Sequence, residues 1–161
     1  MLERIIPKQF DNVFRGHVLA VWLFAIASLM ELAMGTNAVV NTRTVAASAD
    51  AIPIDRFVNG GAEAVMALFA LAGLFRLLLA LQSLLVLLRY RAMIPLMFLM
   101  WLVLQVGSKA LVMLHPVARS GVPSAQLGSA FVYAIIAMLF LGLALSFTGT
   151  SKRVDPALDL R

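Results

Sequence analysis

Three ionisable residues, Glu31, Arg76 and Lys109, sit deep inside long apolar runs of the chain. A charge in hydrocarbon is costly. Residues of this kind therefore pair with one another, face a water-filled cavity, or mark a ligand or proton path. Glu31 lies about four residues below one end of its run, and Lys109 about five below the corresponding end of another. At ~1.5 Å rise per residue, both fall roughly 6–8 Å below the same surface. Matched depth and opposite sign predict a Glu31–Lys109 ion pair, with Tyr133 at the same level and Glu63 a shallower member. Gln105, Ser108 and Lys109 are spaced i, i+3, i+4, so a helix would turn them to one side. Together Glu31, Lys109, Tyr133, Gln105 and Ser108 are the candidate polar pocket. Such a pocket could bind a small molecule, a lipid or a proton. It could equally fix helix register or meet another membrane subunit.

Arg76 is a separate problem. It is the one charge within AVMALFALAGLFRLLLALQSLLVLL, Ala64–Leu88. Its expected depth is roughly 20 Å from Ala62, near a bilayer midplane. Its helical neighbours Ala72, Gly73, Ala80 and Ser83 form a stripe of small residues, which lets another helix approach closely. Arg76 is thus expected to face protein, and with Gly73, Ala80 and Ser83 it forms a candidate partner or helix-packing site. No acidic residue is expected at its depth. Gln105, backbone carbonyls, a water-filled cavity, a lipid phosphate or a carboxylate on another protein are the available partners.

Other chemistry finds little support. His17 and His115 fall at opposite ends of their runs, some 30 Å apart across a bilayer core, so they cannot share one haem. Neither has a neighbour at metal-ligand spacing. The serines lack a base, and HExxH, GxSxG and glycine-rich phosphate motifs are absent. With 0 cysteines, disulfides, thiolate metal sites and CxxC redox chemistry are excluded. No cofactor is expected, and the chain does not read as an enzyme. The nine methionines are scattered gap-fillers. Gly142 and Ser146 make a weak small-xxx-small pair.

The elements that must carry these residues follow from composition. The chain has 161 residues, 62% hydrophobic and 13% charged, with a mean hydropathy of +0.96. That much apolar surface needs a bilayer as solvent. Helices are predicted at about 17–35, 62–88, 92–114 and 128–148. Residues 1–16 are amphipathic and interrupted by Pro7, an interfacial segment. The first run is not followed by an Ala-x-Ala site, so no cleavable signal peptide is expected. Trp22 suits an interfacial anchor. The outer loop 36–61 is too apolar for a free linker and is expected to pack on the bundle. Arg89-Tyr90-Arg91 is a tight turn, which predicts the second and third helices as antiparallel neighbours. Pro95 falls within the first turn of the third helix, where a missing N–H costs little. Residues 115–127 form a second loop, and 149–161 a polar tail.

The net charge of +5 does not point to nucleic acid, because the basic residues cluster at segment ends. Arg4, Lys8, Arg15, Arg89, Arg91, Lys152, Arg153 and Arg161 fall on one side. Only Arg43, Arg56 and Arg119 fall on the other. The positive-inside rule then puts both termini in the cytoplasm.

The stretches PKQFDNVFRGH, ADAIPIDRF and RYRAMIPLMF resemble those of small four-helix inner-membrane proteins of proteobacteria. The resemblance runs over most of the chain and implies a bacterial inner-membrane protein, with no activity to carry over. Small multidrug exporters also have four helices and a glutamate on the first, as Glu31 is here. They are shorter, and Lys109 would neutralise Glu31. Glutathione-dependent membrane enzymes share the helix count and length, but their Arg- and Glu-bearing second helix is not matched by Arg76 alone.

The expectation is therefore an all-α, polytopic four-helix transmembrane bundle, N-in/C-in. Its role would be that of a non-enzymatic accessory or structural subunit in contact with membrane lipids. Its partner would be a lipid, a larger membrane complex or a second copy in a homo-oligomer. The alternative is a small transporter or ligand-binding protein that uses the outer polar pocket.

Overall fold

The computed structural model describes residues 5, 12–49, 51–58, 60–115 and 123–148. The expectations for most of the N-terminal segment, for 116–122 and for the tail fall outside these residues. Four helices, α1 (Val18–Val40), α2 (Gly61–Arg89), α3 (Ile94–Leu114) and α4 (Pro123–Phe147), dominate the chain. Each contains a stretch long and apolar enough to cross a bilayer. That pattern marks a multi-pass membrane protein, because helices satisfy every backbone polar group internally.

Helix ends follow local chemistry. His17 caps α1 by accepting from the Leu19 amide. Pro95 occupies the first turn of α3, where its missing N–H breaks no hydrogen bond. Two boundaries differ from the sequence reading. The helix expected to stop at Gly35 runs on to Val40, and α4 starts at Pro123 rather than 128. Gly35 looked like a terminator but is a packing glycine. A Cβ added there would lie 2.8 Å from the Leu77 amide nitrogen. Likewise a Cβ on Gly73 would lie 2.9 Å from the Ala38 Cβ. These two contacts fix α1 and α2 as a closely packed antiparallel pair, the most extensive helix interface of the molecule.

Around the bundle the order is α2, α1, α4, α3. The start of α1 is tied to the end of α4 by the His17 amide donating to Leu145 O (3.1 Å). Gly142 of α4 receives the Phe98 ring of α3, leaving no room for a Cβ. The remaining seam, between α3 and α2, is sparse despite the short turn joining them. The two helices meet next to the Tyr90–Met93 turn and then diverge. The sequence leads one to expect these helices as antiparallel neighbours, and in the structure their direct contact is slight. A short connection dictates proximity at one end only.

The dry core occupies the half of the bundle near that turn. Phe24, Ala27, Ala80, Val86, Met97, Phe98, Trp101, Ile135 and Leu139 are buried there. Phe24 and Phe98 meet edge to face at 5.2 Å. At the opposite end, the segment after α1 folds back through short turns at Thr42–Thr44, Val45–Ala49 and Ile54–Arg56. Ala46, Ala51 and Ile54 are buried, and Val45–Ala49 packs against α1 and α4.

Candidate functional site

The close α1–α2 approach sets the register of the site. With Gly35 against Leu77 and Ala38 against Gly73, Glu31 falls level with Ala80, one turn from Arg76. Glu31 is fully buried. Its Oε2 accepts from Arg76 Nε at 2.6 Å, and its Oε1 accepts from Gln105 Nε2 at 2.6 Å. One carboxylate thus ties together α1, α2 and α3. Both oxygens are satisfied by short bonds, and charge-assisted bonds of this kind are the strong ones.

This arrangement corrects the expected Glu31–Lys109 pair. Ending the first helix at Gly35 placed Glu31 four residues from a membrane surface. In the structure it lies nine residues before Val40, roughly 14 Å in at ~1.5 Å per residue. That is the level Arg76 can reach, so an acid does lie at its depth. Lys109 faces another seam. Its Nζ lies over the Tyr133 ring of α4, 5.3 Å from the centroid, a cation–π contact. Tyr133 is itself exposed. The side of α3 read as a single polar surface therefore splits. Gln105 points into the bundle, Lys109 points to α4, and Ser108 lines the opening towards α2.

That opening is a cleft of about 520 Å³ between the diverging halves of α2 and α3, with Ala38 of α1 at its back. A volume of this order suits a small-molecule site. Phe69, Ala72, Phe75, Leu79 and Leu104 make its walls apolar, and Arg76 and Ser108 are its polar members. Ser108 donates its hydroxyl to Leu104 O, which leaves its lone pairs to the cleft. Trp101 of α3 is fully buried and bonds across to α2. Its Nε1 donates to Ser83 Oγ (2.9 Å), and Ser83 in turn donates to Leu79 O (2.9 Å).

The electrostatics centre on Arg76. A guanidinium carries five N–H donors. Here Nε is spent on Glu31, and the side chain stays 30% exposed where it borders the cleft. Among the described residues, none accepts from its Nη1 or Nη2 groups. Gly73, Ala80 and Ser83, the other members of the small-residue stripe, are buried, while Ala72 is exposed on the cleft wall.

The sequence reading did not single out Trp101, Phe69, Phe75 or Leu104. The signal for Trp101 was present: a tryptophan deep in an apolar helix must place its indole N–H on an acceptor, and Ser83 is a polar residue deep in the neighbouring helix. Among the described residues no three His, Asp or Glu side chains converge as metal ligands would. A smaller hollow, about 400 Å³, is bordered by Arg43, Asp55 and Arg56. Its Arg43–Asp55 pair at 3.6 Å is almost fully exposed, and such pairs contribute little. No protein-family model, curated protein or solved structure matches the chain.

Proposed function

We propose that the chain is a small, non-enzymatic integral protein of a bacterial inner membrane that binds a membrane-dissolved small molecule in the α2–α3 cleft. Both termini would be cytoplasmic and the cleft would lie in the outer half of the bilayer. The observation that carries the reading is Arg76 lining the cleft, 30% exposed, with no acceptor on its Nη groups among the described residues. An unmet donor in hydrocarbon costs several kcal/mol, so a polar group from outside the chain belongs there. The apolar walls suit the rest of an amphiphile, and the gap between α2 and α3 lets it enter sideways from the bilayer.

The accessory role assigned from sequence takes this form: the membrane partner is a lipid-like molecule rather than a second protein. A transporter that works through Glu31, Lys109 and Tyr133 together is less well supported, since Lys109 and Tyr133 meet on the α3–α4 side. The test is native mass spectrometry of the chain released from mild detergent. The unaltered chain should retain a small-molecule adduct, and the Ala72→Trp variant, which fills the cleft, should lose it. Equal adducts on both chains, or a stoichiometric protein partner and no small molecule, would sink the proposal.

A further inference from the structure

The cleft's chemistry narrows the class of ligand, given the reading of the cleft as a binding site. We infer that its ligand is a single-chain carboxylate amphiphile, a long-chain fatty acid anion whose head group meets the Nη edge of Arg76.

Four observations converge. First, Glu31 accepts from the Nε of Arg76, a lining residue of the cleft, and among the described residues nothing accepts from its two Nη groups. Those groups present a planar array of donors that matches a carboxylate bidentately, as a lysine ammonium would not.

Second, the balance of charges favours one negative charge. A carboxylate on the Nη edge would sit about 4 Å from the guanidinium centre and roughly 7 Å from the Glu31 carboxylate, and Coulomb energy falls as 1/r. Attraction therefore exceeds repulsion, and Gln105 further draws on the charge of Glu31. A dianion carries a steeper desolvation cost, because that cost grows with the square of the charge.

Third, Arg76 lies thirteen residues before Arg89. If Arg89 marks one edge of a ~30 Å hydrocarbon core, Arg76 lies roughly 10 Å below the other edge. A compact head on one flexible chain reaches that depth more readily than the glycerol phosphate of a two-chain lipid.

Fourth, the cleft of about 520 Å³ has apolar walls formed by Phe69, Phe75, Leu79 and Leu104. It offers cover for one alkyl chain.

The test is binding of labelled oleate to the full chain in nanodiscs of zwitterionic phosphatidylcholine. Competitors are methyl oleate, oleyl alcohol and dioleoyl phosphatidylglycerol. Oleate should bind at least tenfold more tightly than either neutral analogue and displace more readily than the phosphodiester. The Glu31→Gln, Arg76→Gln double variant keeps hydrogen-bonding side chains while removing both charges, and it should lose the tenfold preference. Lys109→Gln should retain it.

Neutral analogues binding within threefold of oleate would overturn the carboxylate assignment while leaving the cleft as a ligand site. Stronger competition by phosphatidylglycerol would overturn the single-chain assignment. Unchanged oleate binding in Ala72→Trp would overturn the cleft reading itself. Persistence of the anion preference in the double variant would remove Arg76 from the account.

Discussion

Arg76 Nε lies 2.6 Å from Glu31 Oε2, so a cation in the middle of α2 meets a fully buried carboxylate on the adjacent helix. The bond is not symmetric in its consequences. Glu31 has both oxygens occupied, whereas among the described residues nothing accepts from the outer nitrogens of Arg76, which lines the cleft.

Breaking that pair from one side should cost more than removing it whole. Arg76→Met leaves a charged carboxylate in a dry site, and Glu31→Leu leaves an arginine near mid-bundle. Each single change is expected to destabilise by about 3–5 kcal/mol. The Glu31→Leu, Arg76→Met double variant should recover at least half of the larger loss. Thermal unfolding in a fixed detergent measures all three. Additive losses would mean that the two residues do not share one interaction.

The Trp101–Ser83 bond is one of few links between α2 and α3. Ser83→Ala leaves the indole N–H buried without an acceptor and should cost about 1–3 kcal/mol. Trp101→Phe in the same background removes the orphaned donor but opens space. The coupling between the two changes should therefore be positive and near 1 kcal/mol. A double-mutant cycle on thermal unfolding gives this coupling directly. A value near zero would show that packing of the ring alone holds the seam.

Much of this architecture was legible in the chain. The four apolar runs, the tight basic turn and Pro95 in a first turn all follow from hydrocarbon thickness and proline geometry. The pairing of Glu31 was not legible, and the cause is local. Gly35 has two meanings in sequence, helix stop or helix contact. Only the opposing Leu77 backbone decides between them. Taking it as a stop moved Glu31 towards the surface and gave it to Lys109. Residue spacing likewise put Gln105, Ser108 and Lys109 on one side of α3. It could not say that α2 leaves that side halfway along, so that three adjacent residues face three surroundings. The cleft depends on that divergence, and no single segment encodes it.

The glycines provide a sharp contrast. Gly73→Val places a Cβ against Ala38 and should separate α1 from α2, costing about 1–3 kcal/mol or more from overpacking. Gly107, on α3, has no atom within 4 Å of a built Cβ. Gly107→Ala should stabilise by about 0.5–1 kcal/mol, since helix-interior glycine carries an entropic cost. Opposite signs in the same unfolding assay are expected. Destabilisation by both would mean that the Gly107 side of α3 is covered by something outside this chain.

Lys109 and Tyr133 should matter little to stability. Their cation–π contact at 5.3 Å is partly exposed, and such contacts contribute about 0.5–1 kcal/mol. Lys109→Gln should therefore shift unfolding by less than about 1 kcal/mol. A loss as large as that of Arg76→Met would show that Lys109 belongs to the central charge network after all.

Sidedness has a direct handle, because the chain contains 0 cysteines. A single introduced thiol is then a unique label. Ala47 lies on the segment between α1 and α2, and Arg91 lies in the turn between α2 and α3, both exposed and at opposite ends of the bundle. The proposed orientation follows from eight Lys and Arg on the turn side against three on the loop side. Ala47→Cys should react with a membrane-impermeant maleimide in intact cells. Arg91→Cys should react only after permeabilisation. Loss of the Arg91 side chain removes one bond to Leu87 O and should leave the turn intact. The reversed pattern would place the cleft in the cytoplasmic leaflet and overturn the proposed orientation.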